Sequence, residues 1–340
     1  MNISRLRVLF VVNWIEEGKW PLYRAVANRT SVAHYISSLP MKGSLRKPSI
    51  LLSEFYLPCV ALLKKNKYDI VATWSMRMGV VYGILNRLFG SPSSPRHITH
   101  DFHINLNRKD FFYRLRLMLV RFALPGIDFF LCTSTREEEI YSKMFGISRE
   151  RIRFYPMSSP LDYFCNYRFE PKDYILSYGN SDRDYDTLIK AVADSDIKLV
   201  ILSQSYRPQS PFPPNVTLIT EGHYGMDLIG LIVPARLVVL PTKYMMISAA
   251  QLAMLESLAL GRPLVVSANL ATVEYADHLK TAVFFKPGDA AALAESIRFL
   301  LDNPAFAEAM GQRAREAARG LTPRHQETFF EVMDTLAGQP

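Results

Sequence analysis

Residues Ser248 to Val266 read SAAQLAMLESLALGRPLVV. The spacing predicts a helix carrying one acidic residue, Glu256, in an otherwise apolar run. Gly261 suits a helix C-terminus, and Pro263 cannot continue the helix. The apolar residues after it read as a short strand. A carboxylate on the apolar shoulder of a helix needs a partner, because an unpaired buried charge is expensive. A ligand's hydroxyl pair would supply one, whereas a position on the wet side of a surface helix would need none. Spacing alone leaves both readings open.

The helix-then-strand pattern recurs outward from this stretch. Candidate strands are Arg7–Val12, Tyr68–Thr73, Arg96–Thr99, Phe129–Cys132, Tyr174–Tyr178, Lys198–Leu202, Val216–Ile219, Leu237–Pro241 and Pro263–Val266. The intervening segments are long enough for helices. Such alternation argues for parallel sheets covered on both faces. A chain of 340 residues exceeds one ordinary core. The aperiodic stretch MSSPLDYFCNYRFEPKDY, residues 157–174, separates two such sets. The expected fold is therefore α/β with two Rossmann-like domains, 1–165 and 166–321. A terminal helix occupies the remainder, 322–340. Ligands in such sheets bind beyond the carboxyl ends of the strands.

The three cysteines, Cys59, Cys132 and Cys165, show no metal-site spacing and fit a reducing cytosol. No apolar run reaches the roughly 20 residues that span a bilayer, and Arg236 interrupts the nearest candidate, Leu228–Pro241. The apolar run Val8–Val12 is too short for a secretory signal and reads as a buried strand. Charge is unevenly placed. Residues 1–170 hold 25 Lys and Arg against 13 Asp and Glu, whereas residues 171–340 hold 15 against 19. A basic half favours an anionic partner, although solvated cations also simply confer solubility.

A second informative stretch is Ser177–Val192, SYGNSDRDYDTLIKAV. A strand ends at Tyr178-Gly179, a polar loop follows, and a helix begins near Tyr185. Gly179 lets backbone approach a ligand closely. The helix N-terminus favours an anion, and Arg183 adds a guanidinium fork that matches phosphate oxygens. Arg183 could instead pair with Asp182, Asp184 or Asp186. Asp182 and Asp184 flank this arginine and are not read as a metal pair.

Together these stretches resemble the retaining GT-B glycosyltransferases, in particular glycosyltransferase family 4. The family signature has two Glu residues separated by seven others, followed by Gly-x-Pro-Val. Glu256 matches the second Glu, GRPLVV matches the end, and Ser248 stands at the first Glu. The resemblance implies two domains facing across a cleft, with the terminal helix crossing back to the first. It implies that Glu256 holds a nucleotide ribose and that position 248 contacts the transferred sugar. The diphosphate would lie against Gly179, Asn180 and Arg183, with Arg183 on the family's Lys position. Gln251 and Leu252 would offer backbone amides, and Gln251 and Ser248 could bond sugar hydroxyls. Gly222 and His223 would lie in the loop that meets the base.

In the first half, His100 and Asp101 match a His-Asp pair that faces the donor sugar in family members. His103 lies close by, but no fourth ligand suggests a metal. The loop after the first strand, with Trp14, Lys19 and Trp20, would admit the acceptor, although its indoles could equally pack. Residues Arg108–Leu124 interleave basic and aromatic residues over a helix length. That suits either a helix lying on an anionic membrane or a crossover helix with one wet basic face.

The expectation is a cytoplasmic transferase, peripheral to the inner membrane face. It would move a sugar from a UDP- or GDP-linked donor to a glycan or lipid-linked acceptor, in polysaccharide or envelope glycan assembly. It would need no metal or other cofactor and no nucleic acid. The rival readings are a non-catalytic nucleotide-sugar or glycan binder, favoured by Ser248, and a nucleic-acid binder, for which no motif is present.

Overall fold

The structure, a computed structural model, describes residues 3–13, 20–38, 46–91, 94–106, 109–159 and 161–338. The chain forms two compact units. The first comprises Met1–Pro156 with Arg324–Pro340, and the second comprises Met157–Pro323. The division falls at 156 and 323 rather than 165 and 321, because the segment after Pro156 is tied into the second unit. Met157 N donates to Tyr275 Oη at 3.1 Å, and Arg315 donates to the Cys165 carbonyl at 3.1 Å.

In the first unit, chain order is β1 (Arg7–Val12), α1 (Pro21–Ala27), β2 (Val32–Ser37), α2 (Arg46–Leu63), β3 (Ile70–Trp74), α3 (Met76–Phe89), β4 (Arg96–His100), α4 (Phe111–Ala123), β5 (Phe129–Cys132), α5 (Thr135–Phe145) and β6 (Ile152–Phe154). The strands form one sheet in the order β2-β1-β3-β4-β5-β6. Every pairing is parallel. All residues of β1 after Arg7 are buried, as a strand covered on both faces requires. One face packs Val8, Phe10 and Val12 against Phe329, Val332 and Met333. The other packs Leu9 and Val11 against Met78 and Tyr82.

The second unit runs β7 (Ile175–Tyr178), α6 (Tyr185–Val192), β8 (Leu199–Leu202), β9 (Val216–Ile219), α7 (Met226–Ile232), β10 (Leu237–Leu240), α8 (Gln251–Ala259), β11 (Leu264–Ser267), β12 (Val283–Phe285) and α9 (Ala290–Asp302). Helix α10 (Pro304–Ala337) then passes from this unit into the first at Arg324. The second sheet is also parallel, in the order β12-β11-β10-β7-β8-β9. Chain order reverses between β7 and β10, so the two loops leaving those strands flank a crevice at the sheet's carboxyl edge. The apolar run Leu228–Pro241 is divided between α7 and β10. Among the described residues no helix is long and apolar enough to cross a membrane.

Helix α8 ends as its sequence demands. Gly261 lies at φ +68°, where an L side chain is strained. Pro263 then leads into β11. Its start is less ordinary, because Ala250 takes the left-handed conformation at φ +74° without a side-chain cap.

Candidate functional site

Gly179 leaves β7 at φ +119°, a conformation that favours glycine. A Cβ built on it would lie 2.5 Å from Arg183 Nη2. Glycine therefore lets the Arg183 side chain fold back over its own loop. Arg183 Nε donates to the Tyr178 carbonyl at 3.0 Å, and Nη1 donates to the Ser181 carbonyl at 3.0 Å. No carboxylate pairs with this guanidinium among the described residues. Asp184 instead caps α6, accepting from Thr187 N at 3.3 Å and Thr187 Oγ1 at 2.7 Å. Asp186 accepts from Tyr206 Oη at 2.6 Å. Asp182 takes φ +52° while its carbonyl accepts from Lys243 N at 3.1 Å. The alternative of an arginine neutralised by its neighbouring aspartates is thus not what the loop shows. Arg183 is 9% exposed, and burial pushes its pKa below the ordinary arginine value.

The loop after β10 lies alongside. Arg183 bridges Thr242, and Asp184 N donates to the Pro241 carbonyl at 3.2 Å. Glu256, on α8, is 8% exposed. Its Oε2 lies 3.2 Å from Tyr178 Oη, a hydroxyl that is also 2.7 Å from the Ala253 carbonyl. Tyr163 provides a second side-chain hydrogen bond. Burial nonetheless pushes the Glu256 carboxyl up to about 7, against the pull of both tyrosines and of the Arg183 charge. Arg183 and Glu256 therefore act on one another, with Tyr178 touching both: its carbonyl meets the guanidinium and its hydroxyl meets the carboxylate.

Ser248 is buried, and its Oγ has no hydrogen-bond partner among the described residues. Gln251 is buried at the first turn of α8, and Leu252 is exposed. The segment before α8 is held by Asn269, whose Nδ2 donates to the Ala249 carbonyl at 3.0 Å and lies 3.4 Å from Thr242 Oγ1. Asn269 is a positioning residue that the sequence reading missed. Its only sequence signal is its place just after β11, at the same carboxyl edge.

The Asn180 carboxamide oxygen accepts from Ser203 Oγ, Gln204 N and Ser205 N at 2.8–3.1 Å, clipping two loops together. Two expectations are corrected. Trp20 is not an exposed acceptor platform. Its indole is buried edge-on against Phe10 and Trp74, with centroids 4.8 and 4.9 Å away. His100 has no exposed surface. It stacks on Trp74 at 4.4 Å and meets Tyr155 and Phe329, and neither ring nitrogen has a partner among the described residues. Burial holds its pKa well below the ordinary histidine value. The exposed neighbour Asp101 sits at φ +51°. The imidazole with a carboxylate partner is His103, whose Nδ1 lies 2.9 Å from Glu137 Oε1. Trp14 and Lys19 lie outside the described residues.

Gly222 and His223 follow β9. Tyr224 in the same loop donates to Gln204 Oε1 at 3.3 Å, so this loop and the one after β8 close together. His223 is half-buried and Gly222 is exposed. Among the described residues no three His, Cys, Asp or Glu side chains are grouped to hold a metal.

Residues 166–317 match the family described as glycosyl transferases group 1. Over the whole chain, the sucrose-phosphate synthase of Thermosynechococcus elongatus superposes with a TM-score of 0.71 at 17% identity, covering 98% of this chain and 100% of the other. The chain has the GT-B fold, and its second unit carries the match to glycosyl transferases group 1. The chain is also similar to HepE of Anabaena, solved in complex with UDP. There the TM-score is 0.67 at 12% identity, over 97% and 100% of the two chains. WaaG, a glycosyltransferase involved in lipopolysaccharide biosynthesis, gives 0.62 at 15%, over 98% and 100%. No curated protein sequence matches the chain.

Proposed function

We propose that the chain is a glycosyltransferase of family 4 that moves a sugar from a nucleoside-diphosphate sugar to a hydroxyl of a glycan or lipid-linked acceptor, with retention at the anomeric carbon. One observation carries the donor reading. An arginine without a carboxylate partner among the described residues and a buried glutamate, its carboxyl pushed up by burial, converge on Tyr178 at the switch point of a parallel sheet. Arg183 would hold the diphosphate and stabilise the charge that develops on it as the glycosidic bond breaks. The positive end of the α8 dipole favours the same anionic partner. Glu256 would accept from the ribose hydroxyls, which supply the donors a buried carboxylate lacks. HepE has been solved with UDP-glucose, which makes that compound the first donor to try.

The positive charge that a divalent ion would bring comes here from Arg183 and helix-end amides, so transfer is expected to survive a chelator. Ser248, in place of an acidic residue, is the one feature that favours a non-catalytic binder. Thermal-shift titration with UDP, GDP and ADP identifies the base, because a ligand of the native state raises apparent stability. Product analysis with UDP-glucose and glycan acceptors then separates a transferase from a binder. Loss of both binding and transfer in Arg183→Ala is the expected result. A shift that survives Arg183→Ala would remove the diphosphate assignment.

A further inference from the structure

The first unit carries an apolar and basic face that its own core does not use. Helix α4 reads FFYRLRLMLVRFA, and Phe111 and Phe112 at its start are 73% and 75% exposed. Met118, Leu119 and Phe122 are exposed on the same helix, interleaved with Arg114, Arg116 and Arg121. Only Val120 and Ala123 of α4 are buried. This face continues onto the two neighbouring helices. Arg87, near the end of α3, donates to the Phe122 carbonyl at 2.7 Å, and its guanidinium lies 4.2 Å over the Phe122 ring. Lys65, just after α2, donates to the Phe89 carbonyl at 2.6 Å. Leu63 at the end of α2 is 87% exposed, and Leu88 and Phe89 at the end of α3 are exposed as well.

The charge on this face has one sign. Helices α3 and α4 contain no acidic residue, and α2 contains only Glu54, which is engaged by Arg77. Asp110 is occupied in capping α4, accepting from Tyr113 N at 2.9 Å. We propose that the first unit docks on an anionic lipid bilayer through this face of α2, α3 and α4. The exposed phenylalanines would enter the boundary between headgroups and acyl chains, while the arginines remain at the lipid phosphates. A second copy of the chain fits poorly, because an isologous contact would set Arg114, Arg116 and Arg121 against their own counterparts. The interleaving of cations with apolar side chains also differs from a protein interface, whose buried centre is depleted of charge. All the residues invoked lie in the first unit, so the proposal stands independently of the donor assignment.

Flotation of the full chain on phosphatidylcholine vesicles, with and without phosphatidylglycerol, tests it. Recovery with the mixed vesicles is expected to exceed recovery with phosphatidylcholine alone by about tenfold and to fall at high salt. The double variant Phe111→Ser/Phe112→Ser and the double variant Arg114→Glu/Arg116→Glu should each lose about tenfold in recovery, with the melting temperature unchanged, since these side chains are exposed. Equal recovery on both vesicle types, no recovery on either, or undiminished recovery of both folded variants overturns the proposal. So does a dimer in sedimentation velocity that the phenylalanine variant dissolves, which would make a second copy the occupant. A missing thermal shift with nucleotides would overturn the donor reading alone.

Discussion

At the end of β7 a single hydroxyl proton, that of Tyr178, lies within reach of the Ala253 carbonyl, Glu256 Oε2 and Ser257 Oγ. Burial holds the Glu256 carboxyl near 7 even though Tyr178 and Tyr163 both donate to it. Because the folded-state value is raised from 4.5, the free protein holds this proton more tightly than the unfolded chain does. The resulting stability is present at low pH and is lost as pH rises from 4.5 through 7, by about 3 kcal/mol. Glu256→Gln is therefore expected to raise the melting temperature of the free protein at pH 8. Ribose hydroxyls favour the ionised form, so donor binding should expel a proton. Affinity for UDP-glucose should then rise by up to about tenfold per pH unit as pH climbs toward 7. Calorimetry in buffers of different ionisation enthalpy measures that proton. Binding with none released, or with the same release in Glu256→Gln, contradicts the ribose role. A second variant, Gly179→Ala, should displace Arg183 and cost roughly 1–3 kcal/mol through strain at φ +119°, with nucleotide binding lost. The elements that carry Glu256, Arg183 and Gly179 were legible because their signals are local: a charge in an apolar run, a cation in a polar loop, a glycine at a strand end. His100 and Trp20 were misread because their partners, Trp74 and Phe10, come from other strands, which spacing does not reveal.

At the level of elements, α6 shows how a cap positions a site. Asp184 ties both its oxygens to Thr187, and its own amide to Pro241, so the Arg183 loop is fixed at both ends. Asp184→Ala should lower stability by about 1 kcal/mol, as lost caps do. It should weaken nucleotide binding by more than that loss of stability explains, because the loop is released together with the helix. Thermal melts with and without UDP separate the two effects, and an unchanged nucleotide shift would show that the cap serves the helix alone. The nine strands expected from β-branched and aromatic runs all have counterparts in the sheets. Three strands escaped notice. Both β6 (IRF) and β12 (VFF) are three residues long and pair as the last strands of their sheets. The third, β2 (VAHYIS), is only half-buried, so it lacks the unbroken apolar run of its buried neighbours. Edge strands draw their stability from one partner and leave little hydrophobic signature.

Across the whole molecule the two units respond to acid in opposite directions. The second gains stability from Glu256 as pH falls, while the first buries three neutral histidines. His97 donates from Nδ1 to the Gly126 carbonyl at 3.2 Å and meets Thr73 Oγ1 at 3.0 Å. His325 donates from Nδ1 to the Pro156 carbonyl at 2.7 Å, so Nε2 accepts from Tyr155 Oη at 2.6 Å. Burial lowers both to about 4, against Asp128 near His97 and the Pro156 carbonyl at His325, and holds His100 lower than the ordinary value as well. Each value is depressed from 6.5, so the unfolded chain binds protons first. The stability these rings contribute is full above pH 6.5 and lost as pH falls through the folded-state values near 4, about 3 kcal/mol apiece for His97 and His325. All three tryptophans, Trp14, Trp20 and Trp74, belong to the first unit, so intrinsic indole fluorescence reports that unit alone. Its melting midpoint should fall steeply from pH 6.5 to 4. His325→Gln, which keeps a donor and an acceptor without a titrating ring, should flatten part of that slope even if it lowers stability at pH 7. A midpoint that stays level across this range would mean that the buried imidazoles are not neutral in the folded state, and the aromatic box around His100 would then need another account.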